Sequence, residues 1–310
     1  MRAVVITAPG GPEVLDVIDR DVRPAGPGEV RIAVRAAAVN PTDIGLRDHG
    51  GGDTLEPPWT PGMDAAGVVE AVGAGVDRLA VGDEVMAAVT PRRPEGGAQA
   101  ELIVVPAASV VAIPDGASLA VAATLPMTGL TALLGLELLN SPAGATLAVT
   151  GGAGLLASYV IPLAKERGLR VLADAKPADE ALVAGFGADA VLPRGDGFVA
   201  AVRDHAPDGA DGLFDTALLG RDAFGAIHEG GAMAVVRGWD DSPGDRGIEV
   251  RPVQVRTVLD RTDWLEQLRD RAGAGRLALR VATELPPERA ATAHELMDAG
   301  GLRGRAVIVF

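Results

Sequence analysis

The apolar positions follow two different patterns along the chain. Up to about residue 116, short apolar or alternating segments such as 29–36, 67–72 and 101–105 are separated by Gly and Pro. This pattern is typical of an antiparallel β domain. Beyond about residue 117, apolar strands alternate with helical segments, which predicts a doubly wound parallel sheet. The expected fold class is therefore α/β, with a β domain followed by a parallel-sheet domain.

The second region contains several candidate strands, and helices are predicted between them. The candidate strands of the parallel sheet are 146–149, 170–173, 190–192, 212–215 and 232–236, with helices such as 156–166 and 180–186. After about residue 250 the tail has the predicted helices 263–272 and 287–299 and a last strand at 306–310. We expect this tail to return to the first domain.

The most specific short motif is at 147–157, where an apolar strand turns through glycines into a helical pattern. Gly152-x-Gly154-x-x-Ala157 fits the G-x-G-x-x-G/A fingerprint of dinucleotide-binding proteins. In that geometry, loop N–H groups and a helix N-terminus hold a pyrophosphate. The residues expected to contact the cofactor here are Thr150, Gly151, Gly152, Ala153, Gly154, Leu155 and Leu156. The alternative is a purely structural turn, since the chain has 41 Gly.

Composition and charge restrict the class of partner. The net charge is −14, and no basic stripe is present to neutralise the phosphates of a nucleic acid or an anionic membrane. The chain has no Cys, which excludes disulfides and thiolate metal sites. The first apolar run is too short for a signal peptide, and Pro126 and Pro142 interrupt the long apolar stretches. We expect a cytoplasmic protein with no membrane partner.

Several further blocks, taken in order, resemble one superfamily. They are Ala37-Ala38-Val39-Asn40-Pro41-Thr42-Asp43, Gly62-Met63-Asp64-Ala65-Ala66-Gly67-Val68-Val69-Glu70-Ala71-Val72-Gly73, Val81-Gly82-Asp83-Glu84-Val85, Gly96-Gly97-Ala98-Gln99-Ala100-Glu101 and Gly129-Leu130-Thr131-Ala132. Together they resemble the medium-chain dehydrogenase/reductase superfamily, in its zinc-free quinone oxidoreductase (zeta-crystallin-like) branch. The resemblance implies a GroES-like catalytic domain at 1–117, a Rossmann domain at 118–252 and a C-terminal return at 253–310. It also implies a homodimer formed through an edge strand, for which the candidate is 247–250.

The residues present predict that no catalytic metal is bound. Catalytic zinc needs three protein ligands, usually including Cys or His. Zinc-bearing relatives have Gly-His-Glu where this chain has Gly62-Met63-Asp64, so Met63 replaces the ligand His. The four histidines are far apart in sequence: His49, His205, His228 and His294. Without a Lewis acid to hold an alkoxide, the expected reaction is hydride delivery from a nicotinamide to a conjugated carbonyl compound, such as a quinone, an enone or an enoyl thioester.

The end of the second strand of the parallel sheet bears on which nicotinamide cofactor is used. NAD enzymes place an Asp or Glu there for the ribose 2′-OH. By resemblance, Ala175 stands at that position, Lys176 follows it, and Arg194 lies near the 2′-phosphate in relatives. NADPH is therefore the predicted cofactor. A shift of register by one residue instead makes Asp174 the acid of an NAD site. For Lys176 and Arg194, the alternative interpretation is an ordinary solvated surface.

The candidate catalytic residues lie in the first domain. Asn40 and Asp43 match a pair that lines the nicotinamide pocket in relatives; Asn40 is expected to orient a cofactor ribose or the substrate carbonyl, and a helix cap is the alternative for Asp43. His49, on a glycine-rich segment, is a candidate proton donor, and a surface histidine is its alternative. Thr128 and Thr131 resemble residues near the nicotinamide, with helix capping as their alternative.

Three other functions remain open from the sequence. One is an enone or enoyl reductase of a biosynthetic pathway, since the aromatic content of 3% offers little surface on which a flat quinone can stack. Another is a catalytically weak NADPH-binding protein of the same fold, because Leu155 stands where relatives have a second Gly. The third is a flavin or redox-sensing role.

Overall fold

The computed structural model describes residues 1–52, 55–240 and 242–310. The chain divides into two compact units, of which the first is discontinuous in sequence. Unit 1 comprises residues 1–127, 256–275 and 279–310, and unit 2 comprises residues 128–255 and 276–278. The first unit is therefore completed by the tail.

Unit 1 is built mainly from β-strands. Its strands are β1 (Arg2–Ile6), β2 (Leu15–Asp19), β3 (Glu29–Ala38), β4 (Asp64–Val72), β5 (Glu84–Ala88), β6 (Leu102–Pro106), β7 (Val110–Ala112), β14 (Val281–Leu285) and β15 (Arg305–Val309). Its helices are α1 (Pro41–His49), α2 (Leu119–Ala122), α7 (Thr262–Gly273) and α8 (Ala290–Ala299).

The main sheet of unit 1 is centred on β3. Its strand order is β14-β15-β3-β4-β5-β7, with β6 also paired to β3 and with β1 and β2 in a separate ribbon. The neighbours of β3 all run antiparallel to it, and β14 and β15 are parallel to each other. The strand β15 pairs with β3 through Val307 and Ala38. The last strand of the chain is thus part of the sheet of unit 1.

Unit 2 alternates strands and helices. Its strands are β8 (Thr146–Val149), β9 (Arg170–Ala175), β10 (Ala190–Pro193), β11 (Ala210–Asp215), β12 (Ile227–Val235) and β13 (Glu249–Pro252). Its helices are α3 (Pro126–Leu139, which begins two residues before the unit), α4 (Leu155–Glu166), α5 (Glu180–Gly185) and α6 (Phe198–His205).

The sheet of unit 2 is parallel throughout, with the order β10-β9-β8-β11-β12-β13. The chain moves outward from β8 in one direction and then outward from β11 in the other. The order therefore reverses between β8 and β11, which is the arrangement of a dinucleotide-binding doubly wound sheet. The predicted α/β fold class and parallel sheet are confirmed.

The apolar stretch that begins before α3 is a core element of the protein. Residues 119–139 are apolar enough and long enough to cross a membrane. However, 78% of an apolar stretch of 18 residues within them is buried inside the protein. Leu125, Leu130 and Leu136 are among its fully buried large side chains. Core helices of this kind are apolar on every side, so the stretch is weak evidence for a membrane span.

Candidate functional site

The glycine loop, residues 151–154, connects β8 to α4 at the point where the strand order of unit 2 reverses. Gly151 has φ +67°, a left-handed conformation that glycine adopts without strain. A Cβ on Gly152 would lie 2.4 Å from the backbone oxygen of Asp174, so the close approach to β9 requires glycine there. Gly154 is the N-cap of α4 and provides no side-chain cap. The N–H groups of the first turn of α4 are therefore suited to bind a phosphate.

Asp174 anchors this loop from β9. Its Oδ1 accepts a hydrogen bond from the Gly152 N–H at 3.0 Å, and its side chain is buried. Burial raises the pKa of this carboxyl, while the hydrogen bond from Gly152 and the charge of Arg194 act in the opposite direction. The carboxylate thus faces the glycine loop, and the cofactor roles assigned to this segment stay predictions.

Two exposed cations lie side by side at the ends of β9 and β10. Pro193 pairs with Ala175 in the parallel ladder, and Lys176 and Arg194 each follow directly after that pair. The Arg194 N–H also donates to the Ala175 oxygen at 3.2 Å. Ala175 is buried and offers no side-chain acceptor. This edge of the sheet is therefore suited to an anionic group such as a 2′-phosphate.

Thr150 connects the glycine loop to the segment that follows β11. Its hydroxyl donates to Asp215 Oδ1 at 2.7 Å and accepts the N–H groups of Thr216 and Ala217 at 3.0 and 3.1 Å. Asp215 in turn accepts the N–H of Gly220 at 2.8 Å. Both Thr150 and Asp215 are buried. The two turns that border the reversal point are thus held together by side chains that point into the protein.

The remaining predicted cofactor residues lie on or beside these elements. Leu155 is the first residue of α4 and is 2% exposed, so the departure from glycine is accommodated within the protein. Ala153 is buried and Leu156 is partly exposed. Thr128 and Thr131 are buried in α3. The loop as a whole fits a dinucleotide, and the contacts assigned to individual residues stay predictions.

In unit 1, four buried or partly buried polar side chains form a connected group that we call the polar cluster: Asn40, Asp43, Asp64 and Arg305. Asn40 Nδ2 donates to Asp64 Oδ2 at 2.7 Å, and its Oδ1 accepts a hydrogen bond from Arg305 Nε at 2.8 Å. Asn40 is fully buried. Both polar atoms of its amide are therefore bonded within unit 1, although Asn40 is the N-cap of α1.

The two carboxylates of the polar cluster hold backbone segments. Asp43 accepts the N–H of Asn40 at 2.8 Å and that of Gly62 at 2.9 Å. The first of these bonds is the helix-start contact that was the alternative interpretation of Asp43. Asp64 accepts the N–H of Met127, at the start of α3, at 2.6 Å. The cluster thus fixes the beginnings of two helices and the turn at Gly62.

Burial governs the protonation of these carboxylates. It raises the pKa of Asp43 to about 6 and that of Asp64 to about 7, against the hydrogen bonds and the Arg305 charge that lower both values. The mutual repulsion of the two carboxylates adds to the rise at Asp64. Near neutral pH the Asp64 carboxyl is therefore partly protonated.

The structure brings Asn40 and Asp43 together and separates them from His49. His49 is exposed in the last turn of α1, whereas Asn40 and Asp43 are buried at its start. Sequence reasoning missed Asp64 and Arg305 as members of the group. Asp64 belongs to a block quoted for the superfamily resemblance, which was the available signal; Arg305 had none. The catalytic roles predicted for Asn40, Asp43 and His49 stay predictions.

The region where zinc-bearing relatives have a ligand His contains Met63, which is 5% exposed. Its thioether is a soft and weak ligand compared with imidazole. Within residues 1–52, 55–240 and 242–310, no group of three His, Cys, Asp or Glu side chains is placed to hold a metal ion.

Comparison with known families and proteins agrees with this arrangement. Residues 26–115 match the model of the alcohol dehydrogenase GroES-like domain, and residues 186–308 match that of zinc-binding dehydrogenase. The chain is 32% identical to an NADPH-dependent alkenal/one oxidoreductase of Arabidopsis thaliana, over 99% of this chain and 79% of that protein.

Two solved structures share the whole fold. A structure of an NAD-dependent alcohol dehydrogenase has a TM-score of 0.86 and 29% identity, with full coverage of both chains. A mycobacterial quinone oxidoreductase has a TM-score of 0.81 and 26% identity, again covering 100% of each chain. The resemblance found in the sequence blocks is thus found over the entire chain.

Proposed function

Because the chain belongs to the quinone oxidoreductase branch of the medium-chain dehydrogenase/reductase superfamily, we propose that it is an NADPH-dependent oxidoreductase that reduces conjugated carbonyl compounds without zinc. The observation that carries the proposal is the glycine loop, which lies where the strand order of unit 2 reverses. Ligands of open parallel sheets bind at this point.

The choice of NADPH over NADH is supported by the ends of β9 and β10. Lys176 and Arg194 are neighbouring exposed cations, and cations stabilise a 2′-phosphate. An NAD-type site instead needs an acid that faces the ribose 2′-OH. Asp174 is 2% exposed and its Oδ1 accepts the Gly152 N–H. The Arabidopsis relative is also named for NADPH, whereas one structural relative is named for NAD.

Bound NADPH supplies the hydride, and the residues of the chain hold the reactants in place. In this proposal Asn40 and Asp43 are positioning residues, because the polar cluster fixes α1, the Gly62 turn and the start of α3. His49 is the proposed proton donor, since it is exposed on α1 and its imidazole has an N–H to donate. Thr128 and Thr131 are proposed to line the nicotinamide side of the site.

The proposal of zinc independence is supported by the donor set. Met63 replaces the ligand His of zinc-bearing relatives, and the chain has no Cys. Hydride addition to a conjugated carbon places the negative charge on a carbonyl oxygen, which hydrogen-bond donors are able to stabilise.

Turnover of the purified protein tests the function. NADPH or NADH is mixed with an alkenal, a benzoquinone or an enoyl thioester, and cofactor oxidation is followed before and after treatment with a zinc chelator. We expect faster oxidation with NADPH on the alkenal or quinone, unaffected by the chelator. Preference for the enoyl thioester would favour the biosynthetic reductase. Binding of NADPH without turnover on any acceptor would favour a cofactor-binding protein.

We also propose a homodimer that pairs the β13 edge strands. In the described chain β13 is the last strand of the parallel sheet, paired on one side with β12. An unpaired strand edge is a ready site for a second copy. Sedimentation at micromolar protein concentration distinguishes a dimer from a monomer.

A further inference from the structure

Leu218, in the turn after β11, has a backbone conformation that is unusual for its side chain. Its φ is +62°, in the left-handed region that disfavours residues with a bulky side chain. The residue is nevertheless 42% exposed, so burial in the protein core does not compensate the strain. Strained residues that persist in a structure are often found at binding sites.

The segments on both sides of Leu218 are held firmly. The N–H groups of Thr216 and Ala217 bond to the Thr150 hydroxyl, as described above. On the other side, the N–H groups of Leu219 and Gly220 bond to the Asp215 carboxylate at 3.1 and 2.8 Å. The left-handed conformation of Leu218 is therefore imposed by buried partners that flank it.

This turn borders the glycine loop directly. A Cβ on Gly151 would lie 2.8 Å from Thr216 Oγ1 and 3.3 Å from the Cβ of Ala217. The turn follows β11, the first strand of the second half of the sheet, at the reversal point next to β8. In a dinucleotide-binding sheet the first half, with the second strand, holds the adenosine ribose. The second half therefore holds the nicotinamide nucleoside.

We propose that Leu218 is a cofactor-contacting residue, whose apolar side chain packs on the nicotinamide nucleoside of the bound dinucleotide. The inference rests on the proposed function, because it assumes that the glycine loop holds NADPH. It adds a specific contact that follows from the strained, exposed leucine. Covering the exposed part of this side chain with cofactor would supply binding affinity.

The experiment compares two variants and two ligands. Leu218→Gly removes the side chain and also suits the left-handed backbone, whereas Leu218→Ala removes the side chain and keeps the strain. Affinity for NADPH and for 2′,5′-ADP, which lacks the nicotinamide nucleoside, is measured by titration together with the melting temperature. Asn140→Gly is the control for backbone strain, since Asn140 has φ +46° in the same unit.

We expect NADPH affinity to fall about fivefold in both Leu218 variants, with 2′,5′-ADP affinity unchanged. Leu218→Gly should melt at a temperature equal to or above that of Leu218→Ala, and Asn140→Gly should leave both affinities unchanged. Unchanged NADPH affinity in Leu218→Gly, or equal losses for both ligands, would overturn the inference. Failure of the unsubstituted protein to bind NADPH would instead overturn the proposed function.

Discussion

The polar cluster of unit 1 and the glycine loop of unit 2 use their polar groups in opposite ways. In the cluster, the amide of Asn40 is bonded to Asp64 and Arg305, so its polar atoms are occupied within the protein. Around the glycine loop, Thr150 and Asp174 point inward and hold the backbone, and α4 begins without a side-chain cap. Side chains whose hydrogen bonds are made to one another hold the surrounding backbone in place. A helix start without a side-chain cap instead has N–H groups that are suited to a ligand.

The largest expected effect comes from filling the space at the glycine loop. Gly152→Ala places a Cβ where it would lie 2.4 Å from the Asp174 backbone oxygen, so the loop must move away from β9. We expect NADPH affinity, measured by fluorescence titration, to fall roughly 100-fold or more, because misplaced N–H groups lose the phosphates. Gly185→Ala is the matched control, since a Cβ there would meet nothing within 4 Å beyond its chain neighbours and its own helix backbone. Equal affinities in the two variants would contradict the loop assignment.

The polar cluster responds in stability rather than in cofactor affinity. Arg305→Met leaves the Oδ1 of the buried Asn40 without this donor and removes the cation near two buried carboxylates. We expect the free energy of unfolding to drop by about 3 kcal/mol in urea titrations. Arg31→Met removes an exposed ion pair with Glu70 and should cost about 0.5 kcal/mol. Similar losses in the two variants would show that the cluster is not a stabilising network.

The protonation of the cluster gives a dependence on pH. Because the pKa of Asp64 is raised from 3.8 to about 7, the folded protein binds more protons than the unfolded chain between these values. The stability contributed by this group is therefore present at low pH and lost as the pH rises toward 7. In Asp64→Asn, unfolding free energies measured from pH 5 to pH 8 should decline by about 2 kcal/mol less than in the unsubstituted protein. An unchanged slope would show that Asp64 titrates normally.

A smaller effect than these is expected at the two exposed cations. Lys176→Ala should lower the affinity for NADPH about tenfold and leave that for NADH unchanged, because one ligand has a 2′-phosphate and the other lacks it. The same comparison with Arg194→Ala tests the second cation. Isothermal titration with each cofactor provides the measurement, and NADH serves as the internal control. Equal losses of affinity for NADPH and NADH would show that these two cations do not recognise the 2′-phosphate.

The sequence predicted those features that depend on residues close together in the chain, and it missed those that depend on contacts distant in sequence. Four of the five predicted parallel strands agree with the structure within two residues, because their apolar runs and the glycines between them are local features; β12 begins five residues before its predicted start. The polar cluster depends on contacts between residues that are distant in sequence. Arg305 contacts Asn40 across 265 positions, and no local pattern indicates that pairing.

The local sequence also failed to predict two features of the candidate site that depend on backbone conformation. The segment around Asp174 allows two registers in sequence, and the hydrogen bond from the Gly152 N–H to its carboxylate could not be predicted from them. Leu218 is left-handed between neighbours whose N–H groups bond to buried side chains, and residue type does not indicate that conformation. Both features concern the candidate site, where strain and unusual contacts are most common.

The discontinuity of unit 1 has a consequence for synthesis. The six strands of the parallel sheet have all left the ribosome once Pro252 has emerged, so unit 2 is able to form its sheet while translation continues. The strand β3, made much earlier, receives its neighbour β15 after residues 305–309 have been added. Until then residues 36–38 of β3 lack this neighbour on the nascent chain, whereas residues 29–33 already have β6, and an unpaired strand edge is open to wrong pairing.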